Sequence, residues 1–160
     1  MLDRSQINAL FHYCLSLAAD KPAAEDLLQS SLERLLNLKP PANNPFAYAR
    51  KIIRNQFIDN CRRQNIVDFE ALDDHEPMLL DEQDLEKMTI DANLIEIFMG
   101  VLGNAEREVL FLWAVAGFTA SEIAKETNTA RGTVLARLYR IRKKCQNLDR
   151  ETKMGGGAHS

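Results

Sequence analysis

The chain has 160 residues, a formal net charge of −3 at pH 7 and 46% hydrophobic residues, a balance typical of one or two small globular domains. No apolar run approaches the ~20 residues that span a bilayer, and the polar N-terminus does not resemble a signal peptide. We therefore expect a cytoplasmic protein without membrane insertion. The modest negative charge argues against a protein that coats nucleic acid with its whole surface.

The residue types that usually carry chemistry are scattered along the chain. Cys14, Cys61 and Cys145 form neither a disulfide framework nor a Cys-x-x-Cys metal clip, so we interpret them as core thiols. The sequence holds no His-Glu-x-x-His motif, no phosphate-binding glycine loop and no paired carboxylates in an apolar setting. We therefore expect no metal, no cofactor and no enzymatic activity.

Helical periodicity begins near the N-terminus. A first helix presents one apolar face, formed by Ile7, Leu10, Phe11, Cys14 and Ala18. Asp20 can cap a second helix, with Pro22 in its first turn. The predicted buried stripe of that helix comprises Ala24, Leu27, Leu28, Leu32, Leu35 and Leu36.

A proline-rich stretch at 39–45 separates the second helix from a third. Asn44 can cap this third helix, which begins at Pro45 and extends to about Arg63. Its predicted packing positions are Phe46, Ala49, Ile52, Ile53 and Phe57. Three helices in about 60 residues predict a small bundle over residues 1–65.

The rest of the chain divides by charge and periodicity. Residues 66–87 hold nine acids and one base, so we predict a flexible acidic linker over 66–89. Helical periodicity then predicts a second bundle over 90–148, and a glycine-rich sequence predicts a disordered tail over 149–160. No stretch alternates as a strand would. The predicted fold class is all-α, with two small helical bundles joined by the acidic linker.

A helix-turn-helix is the strongest local signal of the second bundle. Thr119 and Glu122 fit a capping box that begins a short helix ending near Asn128, and Thr129 can cap the helix that follows. The stretch 131–144 has six basic residues and no acid. In such motifs the second helix enters the major groove of DNA, and its first turn reaches the base edges.

This pattern assigns roles to four side chains of that second helix. Arg131 and Thr133 lie in the first turn and are candidates for base contact, whereas Arg137 and Arg140 lie further along and are candidates for phosphate contact. The alternative is a solvated basic end of a helix, since cations are favoured near helix C-termini.

The first bundle offers a second basic surface. Tyr48, Lys51, Asn55 and Arg62 fall roughly on one face of the third helix, where cations can hold phosphates and an aromatic ring can stack on an unpaired base. The alternative is a half-buried tyrosine beside a solvated basic face. On the second helix, Asp26, Gln29 and Glu33 form a polar stripe that composition alone interprets as a solvent face.

Taken together, these segments resemble the extracytoplasmic-function sigma factors of bacterial RNA polymerase. The stretch 24–29 (AEDLLQ) resembles the family's polymerase-binding helix, and 48–63 (YARKIIRNQFIDNCRR) is similar to its promoter-melting helix. The stretches 102–112 (LGNAEREVLFL) and 121–124 (SEIA), with Gly132, Thr133, Val134 and Arg137, follow the family's region-4 pattern. The resemblance covers about residues 7–63 and 94–146.

The resemblance implies three contact surfaces and a set of partners. Docking on core RNA polymerase would use Asp26, Leu27, Leu28, Gln29 and Glu33. Recognition of the −10 element of promoter DNA would use Asn43, Asn44, Tyr48, Lys51, Arg54, Asn55, Arg62 and Arg63. The −35 duplex would meet Arg131, Thr133, Arg137 and Arg140. The resemblance also implies an anti-sigma factor as a partner, and we expect a monomer when the protein is free.

Four positions depart from the family's pattern, and one of them is Gly103, which stands where a proline usually follows Leu102. Tyr48 replaces the usual tryptophan and keeps an aromatic ring, whereas Leu135 and Ala136 stand where a basic residue and a serine are common. The latter pair bears on the preferred −35 sequence rather than on the function.

Two other functions are compatible with parts of the sequence. A dimeric helix-turn-helix regulator would bind duplex DNA without polymerase, with the first bundle as its sensor. An interaction module without a DNA role, such as an adaptor bundle, would leave the charge of 131–144 unexplained. Tight operator binding in the absence of polymerase separates the first of these from a sigma factor.

Overall fold

The structure is a computed structural model that describes residues 1–64 and 100–157. Every regular element in these two ranges is helical, which confirms the all-α prediction there. The chain divides into two compact units, Met1–Leu72 and Asp73–Ser160. The predicted acidic linker at 66–89 and the predicted start of the second bundle at 90 lie outside the described residues.

Helix α1 spans Arg4–Ala18 and is capped by hydrogen bonds at both ends. The Asp3 carboxylate accepts a hydrogen bond from the Gln6 backbone N–H (2.8 Å), and the Gln6 side chain accepts one from the Asp3 N–H (3.1 Å). At the C-terminal end Ala19 adopts the left-handed conformation (φ 59°) and donates to the Leu15 carbonyl. The N–H of Gln6 at the start of the helix and the carbonyl of Leu15 near its end are thus paired locally.

The buried face of α1 differs from the predicted one. Leu10, Tyr13, Cys14 and Leu17 are buried, whereas Ile7 is 37% exposed. The same helical spacing fits a stripe that begins at Ile7 and one that begins at Leu10. Tyr13 decides between them, because its large ring is 1% exposed and belongs only to the second.

Helix α2 spans Lys21–Leu36 and begins as predicted, with the Asp20 carboxylate accepting from the Ala23 N–H (3.2 Å). Its buried residues are Ala24, Leu27, Ser31 and Leu35. Leu36 was predicted to be in this stripe but is 61% exposed. It follows Leu35 directly, and consecutive helical residues point about 100° apart.

Helix α3 spans Pro45–Arg63, which confirms the prediction at both ends. The Asn44 side chain caps it by accepting from the Ala47 N–H (3.2 Å). Each of α1, α2 and α3 packs against the other two. Cys14 lies in this core, and burial raises the pKa of its thiol to about 12, which agrees with a core thiol.

The second unit contains three helices in its described part. Helix α4 spans Asn104–Leu110 and continues as a π-helical segment, Phe111–Val115. A turn with Gly117 at φ 74° leads to α5, Ala120–Thr127, and then to α6, Arg131–Gly157. Both α4 and α5 pack on α6. The shared core includes Leu102, Val109, Leu112, Ile123, Val134, Leu138 and Ile141.

The C-terminal end of α6 departs from the prediction of a disordered tail over 149–160. The helix continues to Gly157, and residues 158–160 lie outside the described residues. Between 149 and 154 the sequence has no proline or glycine, so nothing stops the helix before the glycine triplet. Within 1–64 and 100–157, no helix combines the length and the apolar character that crossing a membrane requires.

Candidate nucleic-acid interface

A tight turn joins α5 to α6 and forms a helix-turn-helix. The capping box at its start is confirmed, since the Thr119 hydroxyl accepts from the Glu122 N–H and the Glu122 carboxylate accepts from the Thr119 N–H, both at 3.1 Å. Asn128 ends α5 in the left-handed conformation (φ 53°). Asparagine tolerates that conformation better than most residues, so the chain can reverse there.

The predicted cap of α6 was wrong by one residue. Helix α6 begins at Arg131, and the carbonyl of Ala130 accepts from the backbone N–H of Thr133 (3.0 Å). The Thr129 hydroxyl lies instead 2.9 Å from the Thr127 hydroxyl, and the Thr129 N–H donates to the Ala124 carbonyl. Thr129 therefore stabilises the turn between the helices rather than the first turn of α6.

The first turn of α6 is open to solvent. Arg131 and Gly132 are exposed and Thr133 is half-buried. A methyl group built on Gly132 would meet no atom within 4 Å. This turn is the part of a recognition helix that reaches base edges in the motif, so the residues that the sequence singled out lie at the surface of the unit.

Arg137 is placed differently from its predicted role. It is 4% exposed, on the buried side of α6 that also carries Val134, Leu138 and Ile141. A guanidinium so placed does not present its donors to a DNA backbone, and the prediction of a direct contact by Arg137 is corrected. It lies three residues after Val134 and four before Ile141, which is the spacing of the core face. Arg140 is half-buried.

Lys144, in the same basic stretch, is also engaged within the unit. Its ammonium donates to both carboxylate oxygens of Glu106 on α4, at 2.8 and 3.0 Å. Glu106 is 5% exposed. Lys143 instead lies over the ring of Tyr139, 4.9 Å from its centroid. The basic stretch therefore serves packing as well as the surface.

Arg107 anchors the start of α4. Its guanidinium donates to the Leu102 carbonyl (2.6 Å) and to the side chain of Asn104. Burial lowers the pKa of Arg107, and the neighbouring Glu106 carboxylate opposes that shift. Neither Glu106 nor Arg107 was predicted from the sequence to be buried, because charged residues on a short helix are ordinarily solvated.

The basic surface of α3 is exposed as expected. Tyr48 is 41% exposed, and Lys51, Asn55 and Arg63 are exposed as well. Arg62 is exposed and lies 4.0 Å from the Asp59 carboxylate, whereas Arg54 is half-buried. We call this set the α3 surface.

The loop before α3 places both asparagines at the surface. Asn43 and Asn44 are exposed, but the Asn44 carbonyl oxygen already accepts from the Ala47 N–H. The cap uses the amide oxygen of Asn44 and leaves its two N–H donors for another contact.

The polar stripe of α2 is also at the surface. Asp26, Gln29 and Glu33 are exposed, and Leu28 is half-buried beside them. We call these four residues the α2 surface. Leu27 was predicted to dock on core RNA polymerase together with these residues, but it is 5% exposed and lies in the core of the bundle. A side chain already buried in its own unit is not available to dock on another protein.

A polar contact that the sequence analysis did not anticipate joins α2 to α3. The Gln56 amide donates to the Ser30 hydroxyl and accepts from the Ser31 hydroxyl (3.4 Å). Ser31 is 0% exposed. Ser30 and Ser31 are remote from Gln56 in sequence, so helical periodicity alone could not pair them.

The described residues bring no group of three or more histidine, cysteine or acidic side chains together as a metal site would need. The candidate interface therefore consists of hydrogen-bonding, cationic and aromatic groups.

Family comparisons match both units. Residues 3–66, which contain α1 to α3, match the family model of sigma-70 region 2. Residues 99–145, which contain α4, α5 and the first half of α6, match the family model of sigma-70 region 4. The chain belongs to the extracytoplasmic-function (ECF) group of sigma-70 factors.

Individual relatives agree with this assignment. The chain is 27% identical over 146 residues to the ECF RNA polymerase sigma factor EcfG of Rhodopseudomonas palustris, covering 89% of this chain and 80% of that protein. The sigma factor RpoE of Bartonella quintana, solved in complex with the anti-sigma factor NepR, shares the fold with a TM-score of 0.64 at 23% identity. That match covers 91% of this chain and 92% of the other.

As an ECF sigma factor, the protein directs RNA polymerase to promoters. Sigma factors are regulatory proteins rather than enzymes. The family assignment thus favours the sigma function over the dimeric helix-turn-helix regulator.

Proposed function

We propose that this sigma factor contacts the −35 duplex through the first turn of α6, the −10 element through the α3 surface, and core RNA polymerase through the α2 surface. One observation carries the proposal: each unit presents its own exposed basic surface, on α3 in one and on α6 in the other. Two separate surfaces suit a protein that reads two promoter elements while a larger enzyme holds both.

For the −35 element, Arg131 and Thr133 are the base-reading candidates. Arginine pairs with the two acceptors of guanine, and threonine can contact a base edge or a thymine methyl group. Arg140 is the candidate for a phosphate contact. Arg137 supports this turn from inside the unit, since its burial leaves it no outward donor surface.

For the −10 element, the α3 surface combines a ring with cations. The exposed Tyr48 ring can stack on an unpaired base, while Lys51, Arg54, Arg62 and Arg63 hold the phosphates. Asn55 on the same surface, with Asn43 and Asn44 in the preceding loop, supplies amides that can hydrogen-bond a base once it leaves the stack.

For core polymerase, the α2 surface offers two carboxylates and an amide beside the half-buried Leu28. Hydrogen-bonding acids at the rim of a small apolar contact suit a specific but releasable interface. Leu27 supports this surface from beneath.

We propose that the free protein is a monomer and that an anti-sigma factor can bind it. The support is the likeness to a sigma factor whose structure contains such a partner. Size-exclusion chromatography with light scattering would test the monomer, and a dimer mass would contradict it.

Run-off transcription with purified core polymerase and a promoter library tests the proposal as a whole. Added protein should produce discrete transcripts from promoters that share −10 and −35 elements. Core enzyme that initiates no differently with the protein than without it would contradict the proposal.

Two variants locate the surfaces in the same assay. Arg131→Ala should weaken dependence on the −35 element, and the matched control Arg4→Ala, an exposed arginine on α1, should not. Asp26→Ala combined with Gln29→Ala should reduce pull-down of core polymerase, while Asn8→Ala, exposed on α1, should leave it intact. Unchanged core binding by the folded double variant would reject the α2 surface as the docking site.

A further inference from the structure

The contact between Gln56 and the serine pair uses both ends of one amide. Its nitrogen donates to Ser30 and its oxygen accepts from Ser31, so this one side chain of α3 is bonded to two consecutive residues of α2. Ser31 is fully buried and Gln56 is half-buried. We call these three residues the Gln56 clamp.

Stability alone does not explain polar residues at this place. A neutral hydrogen bond contributes a modest net stabilisation, because it replaces bonds to water, and apolar side chains of similar shape can replace both partners at little cost. The neighbouring buried positions on these helices are Leu27 and Leu35 on α2 and Ala49 and Ile53 on α3. What a directional pair adds to such an interface is a defined register between two helices.

The clamp lies directly beside the two surfaces to which the proposed function assigns contacts. Ser30 follows Gln29 of the α2 surface, and Gln56 follows Asn55 of the α3 surface. The hydrogen bonds therefore join the residue next to one proposed contact with the residue next to the other.

We propose that Gln56 is a positioning residue, which fixes the α3 surface relative to the α2 surface so that a sigma factor docked on polymerase presents Tyr48 and Asn55 in register with the −10 element. This inference rests on the proposed function. Recognition groups must lie within a fraction of an ångström of their productive positions. A small displacement of Tyr48 or Asn55 can therefore lose more binding free energy than the hydrogen bonds of the clamp themselves contribute.

The decisive variant replaces the whole clamp by apolar groups: Ser30→Ala, Ser31→Ala and Gln56→Leu together. No buried polar group is then left unsatisfied, so the variant should unfold at a temperature close to that of the parent and bind core polymerase with unchanged affinity. Its discrimination between a matching and a substituted −10 element should fall roughly tenfold, while the effect of substituting the −35 element stays the same.

A gentler pair of variants serves if the triple variant does not fold. Ser30→Thr keeps the hydroxyl to which Gln56 donates, and Ser30→Ala removes it; Ser30 is half-buried, so neither change falls in the fully buried core. The threonine variant should keep −10 discrimination and the alanine variant should lose part of it.

The outcomes separate this inference from the proposed function. If the parent protein directs transcription but the folded triple variant, or the alanine variant, discriminates −10 elements as well as the parent, the positioning role is overturned. If the parent itself gives no promoter-dependent transcript, the proposed function has failed instead. Loss of −10 and −35 discrimination to the same degree would also overturn the positioning role, because it would indicate general damage.

Discussion

The two units use charged residues in opposite ways. In the described part of the first unit, the buried polar residues are the neutral Ser16 and Ser31, and the cations of α3 lie at or near the surface. Among the described residues of the second unit, four charged ones are buried: Glu106, Arg107, Glu108 and Arg137. A run of basic residues therefore predicts exposed cations on α3 better than on α6. On α6, Arg137 is buried and Lys144 pairs with the buried Glu106.

The difference follows from how α4 meets α6. Every residue from Ala105 to Leu110 is buried, so this short helix has no solvent face on which to place its charges. Buried charges must be paired and hydrogen-bonded to be tolerated. Glu106 accordingly accepts from Lys144, and Arg107 donates to Leu102 and Asn104.

The largest expected effect comes from Arg137→Ala. Removing a buried cation disrupts the interactions built around it, so the free energy of unfolding should fall by about 3 kcal/mol. Urea unfolding measures this loss. The matched control is Arg131→Ala, whose exposed side chain should change stability by less than ~0.5 kcal/mol while it weakens −35 binding. An Arg137→Ala protein that is fully stable yet binds DNA poorly would restore the role predicted from sequence.

Tyr48→Ala tests the other surface. Loss of one stacked base is worth about 1–3 kcal/mol, so polymerase carrying this variant should open promoters less efficiently, by roughly 5- to 150-fold. Tyr48→Phe keeps the ring and should retain most of the activity. Fluorescence of a 2-aminopurine placed in the −10 element reports the opening. Equal opening by the alanine and phenylalanine variants would show that the ring does not stack.

A smaller effect is expected at the Glu106–Lys144 pair. The Glu106 side chain is 7% exposed and that of Lys144 is 42% exposed, so solvent screens part of the attraction. A double-mutant cycle with Glu106→Gln and Lys144→Met should give a coupling free energy of about 1 kcal/mol by thermal unfolding. Strictly additive changes would mean that the ion pair contributes nothing to holding α4 on α6.

Local features of the fold were predictable, whereas partners across the fold were not. Asp20, Asn44 and the Thr119–Glu122 box behave as their sequence context indicates, because a cap involves residues three apart. The burial of Arg137 and the Gln56 clamp depend on which helices meet. Periodicity gives the face on which a residue lies but not the residue that it touches, and it does not fix the edge of a stripe, as Ile7 shows.

Gly132→Ala is the prediction with the smallest effect on stability, and it separates folding from DNA recognition because the two should change in opposite directions. Gly132 lies in the first turn of α6 outside the left-handed region, and an added methyl group meets nothing within 4 Å. Alanine restricts the unfolded chain and favours the helix, so stability should rise by about 0.5 kcal/mol. If the duplex approaches this turn, the same methyl group occupies space that the DNA needs, and −35 affinity should fall while the melting temperature rises. Gly103→Ala, another exposed glycine of this unit with open space around it, controls for a general effect and should leave −35 affinity unchanged. Unchanged affinity in the Gly132 variant would mean that the duplex lies against another part of α6, away from the position where the methyl group was added.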